Sequence, residues 1–243
     1  MTILLRVEGL GKRFGGFVAL DGINLGVTAG ERLGLIGPNG SGKSTLVNCI
    51  CGTLRNEAGT VHFDGQAMNG LKTHERIRLG LARSFQLPRP FASMTLADNL
   101  RIPLLYSVNA RSAVLDANAI EARCAELLRL VGLADKAAIR PADLTQIDMR
   151  KLELARAMAT EPKLLIADEV MAGLSHSEVE NILQLLFRLN EKGTTIILIE
   201  HIMRAVMSFS QRLVVFVSGR KIADGVPDDV VRDPEVEKAY LGQ

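Results

Sequence analysis

The stretch Gly37-Pro38-Asn39-Gly40-Ser41-Gly42-Lys43-Ser44-Thr45 decides the fold of this chain. Its spacing is G-x-x-x-x-G-K-[ST], in which a glycine-rich turn follows a buried strand and opens a helix. The apolar run 32–36 predicts the strand, and the apolar-periodic segment 45–51 predicts the helix. The first N–H groups of a helix have no partner within it, and a phosphate can be that partner. The sequence therefore predicts a nucleoside triphosphate site.

The residue types in this loop suit a polyanion. The glycines let the backbone curl, so that consecutive N–H groups converge on one anion. Lys43 is expected to hold the β- and γ-phosphates, and Ser44 to place its hydroxyl on Mg²⁺. The predicted nucleotide-binding residues are those of the whole loop: Gly37, Pro38, Asn39, Gly40, Ser41, Gly42, Lys43, Ser44 and Thr45.

Composition limits the class of protein. The 243 residues are 47% hydrophobic with only 4% aromatic residues, which is typical of an α/β protein with a mostly parallel, covered sheet. The net charge of +2 and the lack of a basic block argue against a nucleic-acid partner.

Cysteines and apolar runs indicate the compartment. Cys49, Cys51 and Cys124 fit a reducing environment, and the spacing of the first two on a predicted helix argues against a metal site. The longest apolar runs, 194–199 and 213–217, are too short to span a bilayer, and the N-terminus has no signal-peptide pattern. We expect a cytosolic protein that reaches a membrane only through a partner.

Hydrophobic periodicity predicts the order of elements. Runs 3–7 and 23–27 predict an antiparallel β layer beside the main sheet. Between 95 and 138 the pattern becomes helical, with Thr95 as an N-cap and Gly132 closing a helix over 117–131, which predicts a helical insertion of about 92–160 in a single domain of 1–243. The remaining predicted strands are 59–65, 81–86, 163–167, 194–199, 212–217 and 221–224, and the remaining helices are 149–160, 177–190 and two short ones in 227–241.

Charged residues follow two of the predicted buried strands. Asp168 and Glu169 end the strand 163–167, where a P-loop enzyme holds Mg²⁺, so Asp168 is assigned to the metal and Glu169 to the attacking water. A helix N-cap is the alternative for this pair. His201 follows the strand 194–199 at the same predicted edge, which favours a γ-phosphate contact. The other histidines, His62, His74 and His176, are interpreted as ordinary surface or loop residues.

The order of these parts resembles the ATP-binding subunit of an ABC transporter over essentially the whole chain. The resemblance implies that Phe14, in the predicted loop 12–16, stacks on adenine, although its spacing alone equally fits a core-capping aromatic. It implies that Gln86 contacts the metal and links nucleotide state to the membrane subunits. The segment 172–175 matches the D-loop, and His201 matches the switch histidine. The implied cofactors are ATP and Mg²⁺.

Three further segments, 82–86, 94–100 and 239–242, are similar to the branched-chain (hydrophobic) amino-acid importer group. The resemblance implies an ATPase that powers import of such a solute from the cytoplasmic face of the plasma membrane, with permease subunits and, indirectly, a solute-binding protein. ATPases of lipopolysaccharide export have similar endings, so an exporter is the alternative. A soluble or regulatory ABC-type nucleotide binder is a further one.

One motif departs from the family. The signature L-S-G-G-Q aligns with Leu144-Thr145-Gln146-Ile147-Asp148, where Ile147 replaces a glycine and Asp148 replaces a neutral amide. A carboxylate near a triphosphate costs free energy unless a cation intervenes. Because the signature of one subunit completes the site of the other, the departure predicts a heterodimer with a second, different ATPase. Val170 also replaces the proline usual after the catalytic glutamate, which is a milder change.

Overall fold

The computed structural model describes residues 2–84, 89–108 and 115–241, and every structural statement below refers to these ranges. Their elements follow in this order: β1 (Ile3–Phe14), β2 (Phe17–Thr28), β3 (Arg32–Ile36), α1 (Lys43–Cys51), β4 (Ala58–Phe63), β5 (Gln66–Ala67), α2 (Thr73–Arg78), β6 (Leu81–Ser84), α3 (Leu96–Pro103), α4 (Ala117–Val131), α5 (Gln146–Met158), β7 (Leu164–Asp168), α6 (His176–Glu191), β8 (Thr195–Ile199), α7 (Met203–Phe209), β9 (Arg212–Val217), β10 (Arg220–Gly225), α8 (Pro227–Val230) and α9 (Pro234–Leu241).

Two sheets carry the architecture. The six-stranded sheet has the order β10-β9-β3-β8-β7-β6 and is parallel except for β10, while the four-stranded sheet β2-β1-β4-β5 is antiparallel. This confirms the predicted α/β class with an antiparallel layer. The helices α3, α4 and α5 all lie in sequence between the neighbouring strands β6 and β7. The division into a core and a helical subdomain stays a prediction.

The parallel sheet is covered by apolar clusters on both faces, because residues alternate faces along each strand. Leu164 and Ile166 of β7 join α1 and the antiparallel sheet on one face. Leu165 and Ala167 join α3 to α6 on the other face. Side chains on the α1 face of the sheet are therefore on the same side as the loop 37–42.

Several strand and helix boundaries differ from the predicted ones. The hairpin of β1 and β2 is much longer than the predicted strands, so Phe14 is the last residue of a strand and pairs with Phe17 across the turn Gly15-Gly16. The prediction of a loop at 12–16 was wrong because a two-residue glycine turn closes the hairpin, with Gly15 at φ 58°. Helix α5 begins at Gln146 and not at 149, since the Thr145 side chain accepts a hydrogen bond from the Asp148 N–H.

Other boundary predictions are confirmed. Thr95 caps α3 by accepting from the Asp98 N–H, and Gly132 ends α4 in the left-handed conformation. A π-helical turn over Leu104–Val108 extends α3, and it was not predicted. No helix of the described ranges combines the length and the apolar character that a bilayer span requires.

Candidate functional site

Two residues in the loop between β3 and α1 have a backbone conformation and close contacts that only glycine permits. Gly37 has φ 151°, and a Cβ there would lie 2.1 Å from the Phe216 carbonyl oxygen. Gly42 has φ 105°, and its Cβ would lie 2.7 Å from the Ala19 carbonyl oxygen. Both glycines therefore allow close approach to neighbouring backbone, which curls the loop over the start of α1.

Lys43 is buried within this curl, and its side chain is 7% exposed. Its Nζ donates to the carbonyl oxygens of Gly37 (2.6 Å) and Pro38 (3.0 Å) and to the Ser41 hydroxyl (3.4 Å). Burial lowers the pKa of Lys43, while the charges of Glu169 and Asp168 act in the opposite direction. The ammonium is thus held by the loop itself, close to the two carboxylates.

The N-terminus of α1 carries no acidic side chain. Its first turn contains none, as in α4, whereas α3, α5 and α6 carry Asp98, Asp148 and Glu178 in theirs. An acidic side chain there would offset the partial positive charge of the helix and compete with a bound anion. The loop and helix together fit a phosphate group.

The strand register brings the predicted acidic residues to the same edge as the loop. Asp168 pairs with Ile199, and Ile199 pairs with Leu35, so β7, β8 and β3 end side by side. His201 Nε2 lies 3.2 Å from Glu169 Oε1. Glu169 has a backbone φ of 50°, which is unusual for a residue other than glycine. Its N–H donates to the Ile199 carbonyl oxygen at 2.9 Å.

Sequence reasoning missed Arg83, which holds Asp168, and Asn48, which holds Arg83. Arg83 of β6 donates from Nη2 to Asp168 Oδ2 at 2.6 Å and from Nη1 to Asn48 Oδ1 at 2.7 Å. The side chains of Arg83 and Asp168 are 15% and 8% exposed. The available signal was an arginine inside the largely buried strand Leu81–Ser84.

Glu200 is a third missed residue. It is 3% exposed, and its Oε1 accepts from the Met171 N–H at 2.7 Å. Burial raises the pKa of Glu200 to about 7, against the lowering effect of hydrogen bonds from the Met171 and His201 amides. The carboxyl group connects the end of β8 to the segment after Glu169.

Phe14 lies at the exposed tip of the hairpin, with 50% of its surface accessible. Lys12 Nζ lies 5.4 Å from the centre of its ring. Phe17, its partner across the turn, is 61% exposed and was not singled out in the sequence. The start of β2 reaches the loop through Ala19, so the hairpin tip and the loop are near neighbours. The role of Phe14 as a base platform stays a prediction.

The departing signature residues all make contacts within their own chain. Gln146 donates from Nε2 to the Ala172 carbonyl oxygen at 3.3 Å, and Ile147 packs against the apolar cluster of the helices. Asp148 is paired with Lys136 Nζ at 2.5 Å and with Lys151 Nζ at 3.8 Å. Burial opposes ionisation of Asp148, but hydrogen bonds from Lys136 and Thr145 bring its pKa below the ordinary value. The cation that this carboxylate requires is supplied by Lys136.

One predicted site residue, Gln86, lies outside the residues that the structure describes. Gln86 falls between the described ranges 2–84 and 89–108, so its roles toward the metal and the membrane subunits stay predictions. Within the described ranges, the predicted loop, Asp168, Glu169 and His201 come together at one edge of the parallel sheet.

The fold and this edge define a P-loop nucleotide-binding cassette, and comparison with known proteins identifies its family. A family model described as ABC transporter matches residues 20–172, and one described as Branched-chain amino acid ATP-binding cassette transporter matches residues 220–243. The chain therefore belongs to the ABC transporter family.

Curated and solved relatives cover nearly the whole chain. The high-affinity branched-chain amino acid transport ATP-binding protein LivG of Escherichia coli K12 is 38% identical over 253 residues, covering 99% of this chain and 98% of LivG. A nucleotide-free ATP-binding cassette from an ABC transporter is 31% identical with a TM-score of 0.89, covering 100% of both chains. The ADP conformation of such a cassette is 32% identical with a TM-score of 0.88, again covering 100% of both.

Proposed function

We propose that this chain hydrolyses ATP with Mg²⁺ and thereby powers the import of branched-chain or similar hydrophobic amino acids. The observation that carries the proposal is the buried Lys43 in its glycine loop, at the sheet edge where Asp168, Glu169 and His201 also lie. The names of the curated relatives support the choice of solute. The match of residues 220–243 to a model described as Branched-chain amino acid ATP-binding cassette transporter supports the same solute class.

Each residue has a separate task in binding. Lys43 exchanges its bonds to loop carbonyls for the β- and γ-phosphates, and the N–H groups of the first turn of α1 take phosphate oxygens. Ser44 and Asp168, with Gln86, would hold Mg²⁺, because hydroxyl, carboxylate and amide oxygens are the ligands it prefers. When bound, Mg²⁺ neutralises charge on the β- and γ-phosphates. Phe14 supports the base.

Glu169 and His201 are assigned to the hydrolytic step. The Glu169 carboxylate orients and polarises the attacking water, and His201, 3.2 Å away, holds the carboxylate and contacts the γ-phosphate. The hydrogen bond from the Glu169 N–H to Ile199 fixes the turn that presents the carboxylate. The chain's own part in catalysis is therefore positioning and charge stabilisation.

A groove of about 920 Å³ is the place we assign to the permease subunits. It lies between α2 and β6 on one side and α3 and α5 on the other. Tyr106 is 72% exposed and Phe91 is 40% exposed at this groove, and the Arg156 guanidinium lies 5.1 Å from the centre of the Phe91 ring. Exposed aromatics beside arginine are typical of protein interfaces. Docking there would place the chain on the cytoplasmic face of the plasma membrane.

The second ATPase subunit follows from the signature. Because Gln146, Ile147 and Asp148 are engaged within their own chain, they are poorly suited to receive a phosphate from a partner. The chain's own phosphate loop and Glu169 keep the residue types that hydrolysis requires. We therefore propose a heterodimer with a different ATPase that supplies a sound signature.

Two variants test the proposed activity. Lys43→Ala should weaken binding of a fluorescent ATP analogue by about 100-fold, because a buried charge-assisted contact to phosphate is lost. Glu169→Gln should bind within about threefold of the wild type, yet lower phosphate release by at least about 100-fold in the assembled transporter. Binding is measured by titration with Mg²⁺ present, and turnover by phosphate release.

Lys163→Ala is the matched control, because this lysine pairs with Asp64 on the surface before β7. It should change neither quantity. Normal hydrolysis by Glu169→Gln would show that Glu169 is not the base, and unchanged nucleotide binding by Lys43→Ala would refute the assigned phosphate site.

A further inference from the structure

The guanidinium of Arg83 is placed between the two elements that carry the proposed metal ligands. Arg83 pairs in register with Ile166 of β7, two residues before Asp168, so Arg83 and Asp168 lie on the same face as diagonal neighbours. That is the α1 face, because Leu81 and Ile166 belong to the cluster around α1. Strand geometry alone thus directs Arg83 toward the phosphate-loop side of the sheet.

The contacts of Arg83 bridge these elements directly. One nitrogen reaches Asp168 Oδ2 at 2.6 Å, and another reaches Asn48 Oδ1 at 2.7 Å. Asn48 stands one helical turn after Ser44 on α1. A single guanidinium therefore ties the helix that carries Ser44 to the strand that carries Asp168.

The charge at this place requires a cation. Asp168 is 6% exposed, and a buried carboxylate is costly unless it is paired. In this structure Arg83 supplies the pairing charge. Mg²⁺ bound together with a nucleotide would place two positive charges beside the same carboxylate, where the metal and the Arg83 guanidinium would repel each other.

We infer that Arg83 is a positioning residue of the metal site, which holds Asp168 in the nucleotide-free chain and yields it to Mg²⁺ when Mg·ATP binds. The inference rests on the proposed function, because it takes Asp168 as a Mg²⁺ ligand. Arg83 keeps the carboxylate oriented between cycles. Arg83 also lowers the affinity of the site for Mg²⁺ alone. Mg²⁺ would therefore be held while the nucleotide is bound and released once the nucleotide has left.

The test is the Mg²⁺ dependence of nucleotide binding, measured with the full chain and a fluorescent ATP analogue. Arg83→Gln should lower the Mg²⁺ concentration at half-maximal enhancement of binding by about tenfold, because the competing charge is gone. Mg²⁺ without nucleotide should raise the melting temperature of Arg83→Gln and leave that of the wild type unchanged. A merely structural arginine would alter the melting temperature but not these Mg²⁺ responses.

Two further variants keep the test valid if Arg83→Gln folds poorly. Arg83→Lys keeps the charge and should keep a midpoint near that of the wild type. Asn48→Ala removes the second anchor of the guanidinium and should lower the midpoint part of the way toward that of Arg83→Gln. Arg212→Gln is the matched control, because it breaks two partly buried ion pairs of β9, one with Glu31 before β3 and one with Asp224 of β10. It should lower stability with no change in the Mg²⁺ midpoint.

The outcomes separate the two proposals. If the wild type binds nucleotide with Mg²⁺ but Arg83→Gln has an equal or higher Mg²⁺ midpoint, the role of Arg83 is refuted and the proposed function stands. If the wild type binds no nucleotide under any Mg²⁺ concentration, both are refuted.

Discussion

At the scale of single residues, each charged side chain of the site is held by a polar or charged partner within the chain. Lys43 is satisfied by loop carbonyls, Asp168 by Arg83, and Glu169 lies against His201. The first two arrangements avoid the cost of an unpaired buried charge in the nucleotide-free chain. Binding of a triphosphate with its metal then exchanges one set of partners for another. The loop can thus remain folded without its ligand.

Glu200 provides a prediction at this scale. Burial raises its pKa to about 7, above the ordinary value of 4.5, so ionisation is harder in the folded than in the unfolded chain. The resulting stability is fully present below the unfolded pKa and is lost as the pH rises through 7. Relative to Glu200→Gln, the wild type should lose up to about 3 kcal/mol of unfolding free energy between pH 5 and pH 8.

Urea unfolding at several pH values measures this difference. Gln keeps an acceptor for the Met171 N–H and cannot ionise, so its profile reports all the other titrating groups. Parallel pH profiles for the two proteins would contradict the raised pKa.

At the scale of elements, helix α5 combines a local cap with a distant cation. Thr145 caps the helix. The first turn of the helix contains Asp148, whose carboxylate interacts favourably with the positive end of the helix dipole. Lys136, in the turn that follows α4, neutralises this carboxylate. Gln146 and Arg150 of the same helix both donate to the Ala172 carbonyl oxygen. The helix is therefore fastened to the segment that follows Glu169.

The pair of Lys136 and Asp148 gives a prediction for this element. Lys136→Met should lower the urea midpoint, because the nearest cation left to the buried Asp148 carboxylate is then the more distant Lys151. Asp148→Asn in the same chain should recover most of the loss, since no buried charge then remains. A double-mutant cycle measures the coupling. Additive effects of the two substitutions would show that the pair is unimportant.

At the scale of the whole molecule, the two sheets and the helices packed on them place the proposed contacts on two adjoining surfaces. The phosphate loop lies at the carboxyl edge of the parallel strands, while the proposed permease groove lies between α2 and β6 and the helices α3 and α5. Arg83 and Asn48 contribute both to the Asp168 contact and to the groove lining. The two surfaces are therefore physically continuous through these residues.

Assembly gives the prediction at this scale. The chain alone should show little ATPase activity, and mixing it with its different ATPase partner should restore turnover, because the partner supplies the signature that this chain lacks. Phosphate release is measured for each chain alone and for the mixture. The Glu169→Gln form of this chain in the mixture serves as the control, and robust turnover by the isolated chain would refute the heterodimer.

The sequence by itself determined the phosphate loop, the α/β class, the caps at Thr95 and Gly132 and the bounds of β9, which are residues 212–217 as predicted. These features are local, because they depend on turn chemistry, capping and periodicity within about a dozen residues. The length of the first hairpin and the start of α5 were wrong, since single turn and cap residues moved those boundaries.

Only the tertiary structure decided which donor pairs with each buried carboxyl group. Arg83 meets Asp168 across 85 positions of sequence, Glu200 meets Met171 across 29, and Lys136 meets Asp148 across 12. No period or motif encodes such pairs, because they arise from strand register and from the packing of helices on the sheet. The physical reason is burial: once these carboxyl groups are removed from water, each must be held by whichever donor the fold brings to it.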